Sequence, residues 1–212
     1  MHPNEIDQPV DRPDTRERLV RATLAVIYEE GYDQATTRRI AERASVNLQL
    51  IQYHFKGKEG LIATAQEQAR LRYMALLEPA VLAASDLKGA IRAGIALTWD
   101  QARSHPELMQ PDLLLQIRRA SGQAPGHDLP ARETQVDLSR LLDRVRSRTG
   151  ERLAVPIAPF ILLMMSGTAG LLMEYRISGD EATIGAAFAL LAERLEDLVL
   201  SGPDETPHRS TS

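Results

Sequence analysis

From Leu19 onwards the apolar positions of the chain fall at helical spacing. Leu19, Ala22, Thr23, Val26 and Ile27 share one face of a first predicted helix, which Gly31 ends. Asp14 followed by Glu17 predicts a capping box at its start. Pro3, Pro9 and Pro13 precede it, so residues 1–13 are expected to form a disordered arm. A second, short helix is predicted from a cap at Thr36 or Thr37, with Ile40, Ala41 and Ala44 inward. A turn at Ser45, Val46 and Asn47 leads to a third near Leu48–His54. Gly57 is then either a break or the cap of a long fourth helix carrying Leu61, Ile62, Ala65 and Leu71.

The same period continues to the end. Ser85 or Asp86 is expected to cap a helix through Ile91, Ile95 and Trp99. Pro106 suits a helix start, and Pro111 should kink or restart that helix ahead of Leu113–Ile117. Gly122 to Pro130 reads as a loop. Leu138, Leu141, Leu142 and Val145 predict a helix ending by Gly150, and Asp180 starts a last one with Ile184, Phe188, Leu191, Leu195 and Leu198 inward. Residues 202–212 read as a disordered tail. No repeat and no convincing strand emerges, so the expected fold is all-α.

Leu153–Met173 carries no charge and is as long as a membrane span. Pro156 and Pro159 fall early in it, and Ser166, Gly167, Thr168 and Gly170 dilute its middle. Small residues at that spacing let helices approach closely. The preferred expectation is a buried helix at a subunit interface, pairing with the last helix so that two copies build a four-helix contact. A membrane-anchored helical protein is the rival reading.

Composition narrows the chemistry. The chain has no cysteine, which excludes disulfides and thiolate catalysis and suits a reducing, cytoplasmic setting. Its first residues hold acids and prolines without an apolar run, so no secretory signal is expected there. The net charge of −4 disfavours nucleic acid as a partner until its distribution is considered. Eight cations and five anions between Thr15 and Lys58 give that stretch +3 and leave the remainder at −7. A basic module on an acidic body meets phosphate with one end. His2, His105, His127 and His208 lack metal-ligand spacing, no glycine-rich phosphate loop or nucleophile elbow is present, and the acids do not cluster. Catalytic residues, metal and cofactor are therefore all expected to be absent, and the protein is not expected to be an enzyme.

Two short helices separated by a tight turn are the form in which a second helix projects its N-terminal residues towards base edges in the major groove. Ile40, Ala41, Ala44, Val46 and Ile51 supply the small apolar crossing. Arg38, Arg39, Arg43, Gln49, Gln52, Tyr53, His54, Lys56 and Lys58 supply donors on the outer faces. In order, the chain reads Gly31-Tyr32, Thr36-Thr37, Ile40-Ala41, Ser45-Val46, Tyr53-His54-Phe55 and Lys58-Glu59-Gly60-Leu61. This series resembles the TetR family of transcriptional regulators over about 47 residues of the chain. Ser45 departs from that family's usual glycine, Gln49 from a small residue and Gln52 from a tyrosine. At a left-handed position Ser45 would cost about 1 kcal/mol relative to glycine.

The resemblance implies a DNA-binding domain over residues 14–60 and a helical ligand-binding and dimerisation domain over 61–201. It implies a cytoplasmic homodimer that binds double-stranded DNA at an inverted repeat, acts as a repressor and responds to a hydrophobic small molecule. Arg38, Leu48, Gln49 and Leu50 match its base-proximal positions. Thr37, Tyr53, His54 and Lys58 match its phosphate contacts, with Gln52 a weaker match. Gln49 can pair bidentately with adenine, or it can cap and solvate its helix. Trp99, Met109, Leu113, Gln116, Ile117, Leu141, Phe160, Met164 and Met165 are the candidate pocket residues, against the alternative that each packs a core. A DNA-binding dimer without any ligand is the remaining rival.

Overall fold

The computed structural model describes residues 14–109 and 129–200. The arm before Asp14, the kink at Pro111, the helix at Leu113–Ile117 and the tail lie outside the described residues, as does most of the loop expected over 122–130. The chain divides into two compact units, Met1–Gln66 and Glu67–Ser212. The division falls inside a helix.

In the first unit, α1 (Thr15–Glu30), α2 (Thr37–Ala44), α3 (Gln49–Phe55) and the start of α4 (Lys58–Leu82) enclose one small core. Leu19, Val26 and Ile27 on α1, Ile40 on α2, Ile51 on α3 and Leu61 on α4 are all almost fully buried. Helices as short as α2 and α3 do not persist alone in water, so this shared burial holds them. Asp14 occupies the cap position of α1, but its side chain makes no capping bond. The expected box is not formed, and Glu17 lies instead 3.9 Å from Arg21 on the next turn. Thr36 does cap α2, its hydroxyl accepting from the Arg39 amide at 3.1 Å.

The second unit contains the remainder of α4, α5 (Leu87–Ser104), α6 (Leu129–Thr149), α7 (Ile157–Ser178) and α8 (Glu181–Glu196). Residues 106–109 add a helical turn. Asp86 caps α5, accepting from the Gly89 amide at 2.6 Å, and Asp180 caps α8, accepting from the Thr183 amide at 3.0 Å. That bond holds the Asp180 carboxyl below its ordinary range. Pro130 falls in the first turn of α6, where a missing amide costs nothing. Pro156 caps α7, so the apolar run of the sequence is a helix only from Ile157. Ahead of it, Arg152–Leu153 (β1) pairs antiparallel with Val199–Leu200 (β2), in the register Arg152 to Leu200. Strands this short carry no readable alternation.

The antiparallel seam of α5 and α8 is the firmest part of the second unit. The Trp99 ring stacks on Phe188 with centroids 5.1 Å apart and meets Tyr175 edge-on at 4.8 Å. Ion pairs close both ends, Arg92 with Glu196 and Arg103 with Glu181 at 2.8 Å. Glu196 is nearly buried, and the bonds from Arg92 satisfy its carboxylate. Arg70 of α4, whose side chain is only 13% exposed, meets Glu67 at 2.6 Å and reaches Asp137 and Glu133 on α6. Its hydrogen bonds hold the Glu67 carboxyl below its usual value and raise the guanidinium's.

One junction is set by space. The backbone takes positive φ at Lys56 (60°) and Gly57 (124°), folding α4 back against the end of α3. A methyl group at Gly60 would overlap the Phe55 carbonyl oxygen. Gly60→Ala is therefore expected to destabilise the first unit by about 1–3 kcal/mol. Chemical denaturation followed by circular dichroism measures it, and an unchanged midpoint would show that the junction has slack.

Candidate nucleic-acid interface and effector cavity

The turn between α2 and α3 is built from backbone bonds and one arginine. Ser45 is left-handed at φ 54°, the conformation in which serine is disfavoured. The Arg18 guanidinium donates to the Ala44 and Ser45 carbonyls at 2.6 and 2.7 Å, covering groups that the end of α2 leaves open. The Asn47 carboxamide then accepts from the Gln49 amide at 2.8 Å, so Asn47 makes the local cap at the start of α3. Ile51 and Phe55 point inward, whereas Leu48, Gln49, Gln52 and Tyr53 are exposed, Tyr53 by 80%. Leu50, His54 and Thr37 are half-buried. His54 meets Tyr53 edge-on with ring centroids 4.9 Å apart. The Lys58 ammonium lies over the Tyr32 ring, 4.6 Å from its centre, joining two separated pieces of the sequence motif.

The arginines of α2 are not a row of free cations. Arg39 donates to Glu30 at 2.8–3.0 Å and Arg43 to Glu29 at 2.6 Å, fastening α2 to the end of α1. The bond from Arg39 keeps the Glu30 carboxyl below its ordinary range. Arg38 pairs at 3.0 Å with Glu42 on its own helix, and its side chain is 86% exposed. Of the three, Arg38 is the one placed to leave its partner for another anion. Sequence charge alone does not reveal that Arg39 and Arg43 are paired with carboxylates of α1.

A cavity of about 630 Å³ lies within the second unit, inside the size range of small-molecule sites. Tyr73, Leu77 and Val81 of α4, Ile91, Ile95 and Thr98 of α5, Arg132, Gln135 and Leu138 of α6, and Ile161, Met165 and Leu172 of α7 line it among others. The Tyr73 hydroxyl lies 2.8 Å from Thr98 Oγ1, which itself donates to the Gly94 carbonyl at 2.8 Å. Burial raises the Tyr73 phenol, the bond to Thr98 opposing the shift. Of the sequence-named pocket residues, Met109, Leu141, Met164 and Met165 line the cavity. Trp99 and Phe160 are packed in the core. Leu113, Gln116 and Ile117 lie outside the described residues.

The pattern of the bacterial regulatory proteins, tetR family, matches residues 19–65. The HTH-type transcriptional regulator BetI 1 of Chromohalobacter salexigens is 42% identical over 57 residues, 27% of this chain and 28% of that protein. The HTH-type transcriptional repressor NicS of Pseudomonas putida is 28% identical over 102 residues, 48% and 47% of the two chains. The match thus spans from about a quarter to half the length of these relatives. Among solved structures, the fatty acid degradation regulator FadR from Bacillus halodurans superposes with a TM-score of 0.71 at 16% identity, covering 87% of this chain and 96% of that one. A TetR family transcription regulator from Marinobacter aquaeolei gives 0.67 at 16% identity, covering 87% and 95%. Residues 19–65 thus carry the DNA-binding motif of the tetR family, and the fold is the one these solved regulators share.

The N-terminal motif expected from sequence and the helical fold therefore both hold for this chain. Sequence reasoning passed over Tyr73, Thr98, Arg132 and Gln135. A signal for Thr98 existed: it continues the inward stripe of Ile91 and Ile95, a polar residue where packing asks for an apolar one. Nothing in the sequence marked Arg132. At the turn, Ser45→Gly is expected to stabilise the protein by about 0.5–1 kcal/mol by removing left-handed strain. Thermal unfolding checks this; a lower midpoint would mean that the serine makes up for its backbone.

Proposed function

We propose that this chain is a cytoplasmic, dimeric repressor of the TetR family, which binds an inverted-repeat operator through α3 and leaves it when a small molecule fills the cavity of the second unit. The exposed row Leu48, Gln49, Gln52 and Tyr53 on α3 carries the reading. Residues with donors and apolar contacts are held outward by a buried Ile51 and Phe55, on the second helix of a helix-turn-helix. Arg38, Leu48, Gln49 and Leu50 are assigned to bases. Thr37, Gln52, Tyr53, His54 and Lys58 are assigned to phosphates. The repressor role is supported by the name of the NicS relative.

The dimer surface is assigned to α7 and α8. Among the described residues α7 is long and apolar enough to cross a membrane, and only 17% of its apolar window is buried within the chain. Leu162, Leu163 and Ile177 of α7 and Leu190 of α8 stand exposed. A second copy covers them, rather than a bilayer. The cavity wall on α7 and the fold shared with solved regulators support that choice. A two-fold dimer carries two copies of α3 and reads half-sites about 34 Å apart or somewhat more. Effector and DNA are coupled through α4, which begins at Lys58 and carries Tyr73 and Leu77 into the cavity wall. A coupling of about 1–3 kcal/mol is typical of such switches.

Selection on randomised half-sites tests the base assignment. Gln49→Ala is expected to relax one position in each half-site, at a cost of about 1–3 kcal/mol for the preferred base. Lys58→Ala should weaken specific and random DNA alike and lower the salt slope by about 0.9 per lost contact. Identical sequence preferences for Gln49→Ala and wild type would remove Gln49 from base readout.

The dimer has its own test at Gly170, which is exposed and has no neighbour within 4 Å where a side chain would begin. Gly170→Leu should leave the subunit folded and weaken self-association, as read by sedimentation. A tight Gly170→Leu dimer places the interface elsewhere, and recovery of the wild type with membranes on fractionation favours the bilayer.

A further inference from the structure

We propose that the effector is an aliphatic amphiphile with a single anionic head, its chain lying in the apolar interior and its head at Arg132 and Gln135 on the rim. The inference rests on the effector-responsive reading above and specifies the chemistry of that same cavity.

Among the described residues, the lining is mainly apolar and most of its buried hydroxyls are engaged. Thr98 spends its proton on the Gly94 carbonyl, so the 2.8 Å contact with Tyr73 is a donation from the phenol to Thr98. Thr168 directs its hydroxyl to the Met164 and Met165 carbonyls at 3.0 Å. The hydroxyls of Tyr73, Thr98 and Thr168 are thus committed to partners within the protein; Thr134 and Ser166 also line the wall, and most of the remaining described lining is Leu, Ile, Val, Ala and Met. A polar group on the body of a ligand would give up water there for little return.

Among the described lining residues, charge around the wall has one sign: Arg132 is the only charged one, and none is a carboxylate. The nearby acids Glu133 and Asp137 face Arg70 instead. Arg132 is exposed and Gln135 half-buried, which puts this pair towards solvent while Thr98 is buried. At i and i+3 on α6 the two side chains are neighbours, and together they present a guanidinium fork and a carboxamide, both donors suited to a carboxylate. A cation would find the reverse. Tyr73 is the only aromatic among the described lining residues, so no aromatic cage for a quaternary ammonium exists in them.

Calorimetric titration of the full chain with decanoate, decanol and decyltrimethylammonium, each below its micellar concentration, tests the assignment. Decanoate is expected to bind at least about tenfold more tightly than the ammonium. Arg132→Ala should weaken decanoate about tenfold and leave decanol within about twofold. Because Arg132 is exposed, the variant keeps its core, and circular dichroism verifies that. Failure of decanoate to bind, equal or tighter binding of the ammonium, or equal losses for decanoate and decanol in Arg132→Ala would each overturn the proposal. Release of selected operator DNA is measured separately by anisotropy. Decanoate that binds in the expected pattern without releasing DNA upholds the ligand class and overturns the effector-responsive reading. Release by the ammonium alone does the opposite.

Discussion

Seven or eight residues are too few to stay helical unaided, and the first unit depends on that constraint. Neither α2 nor α3 has the length to exist before its neighbours, so the orientation of α3 is a property of the core beneath it. Leu19, Ile27, Ile40, Ile51 and Leu61 make that core from four helices. Around it the fold adds short-range fixings of backbone: Arg18 on the end of α2, Asn47 on the start of α3, and Gly60 against the last carbonyls of α3. The outer face of α3 is free of structural duty for this reason. Its inward residues and its two ends hold it, and Gln49, Gln52 and Tyr53 need only face outwards.

The second unit divides its labour differently. In the α5–α8 seam three rings pack together and ion pairs close both ends. A cavity can then lie on the other flank of α5, between α4, α6 and α7, without the domain relying on the space it occupies. Trp99 and Thr98 are adjacent in sequence and face these two regions, the tryptophan into the seam and the threonine into the cavity wall. One residue of helical rotation, about 100°, separates the firm side of α5 from the receptive one.

That rotation also shows what sequence could and could not disclose. The starts of α2, α5 and α8 were legible to within a residue, at Thr36 or Thr37, Ser85 or Asp86, and Asp180, because a side-chain acceptor next to an apolar period favours a cap, although Asp14 makes none. The helix-turn-helix was legible because its motif combines turn chemistry, apolar spacing and outward donors within a few turns. Trp99 was read as a cavity residue because large apolar residues look alike until their partners are known, and Phe188 and Tyr175 are far away in the chain. A comparable distance hides Arg70, whose partners on α6 come over sixty residues later, while Arg39 and Arg43 meet carboxylates on α1 across the intervening turn, a pairing no helical period announces. The β1–β2 pairing joins the approach to α7 with the segment after α8, and two residues a side leave no pattern to find.

The exposed apolar side of α7 has a consequence in mass action. A helix so poorly covered by its own chain exposes little new apolar surface there when the chain unfolds, and gains most of its burial from whatever lies against it. With a second copy as that cover, folding and association share one free energy. The melting temperature then ceases to be a constant of the chain and rises with concentration, because each partner present draws the equilibrium towards the folded pair. A dilute sample and a concentrated one would differ in stability without a single contact within the subunit having changed.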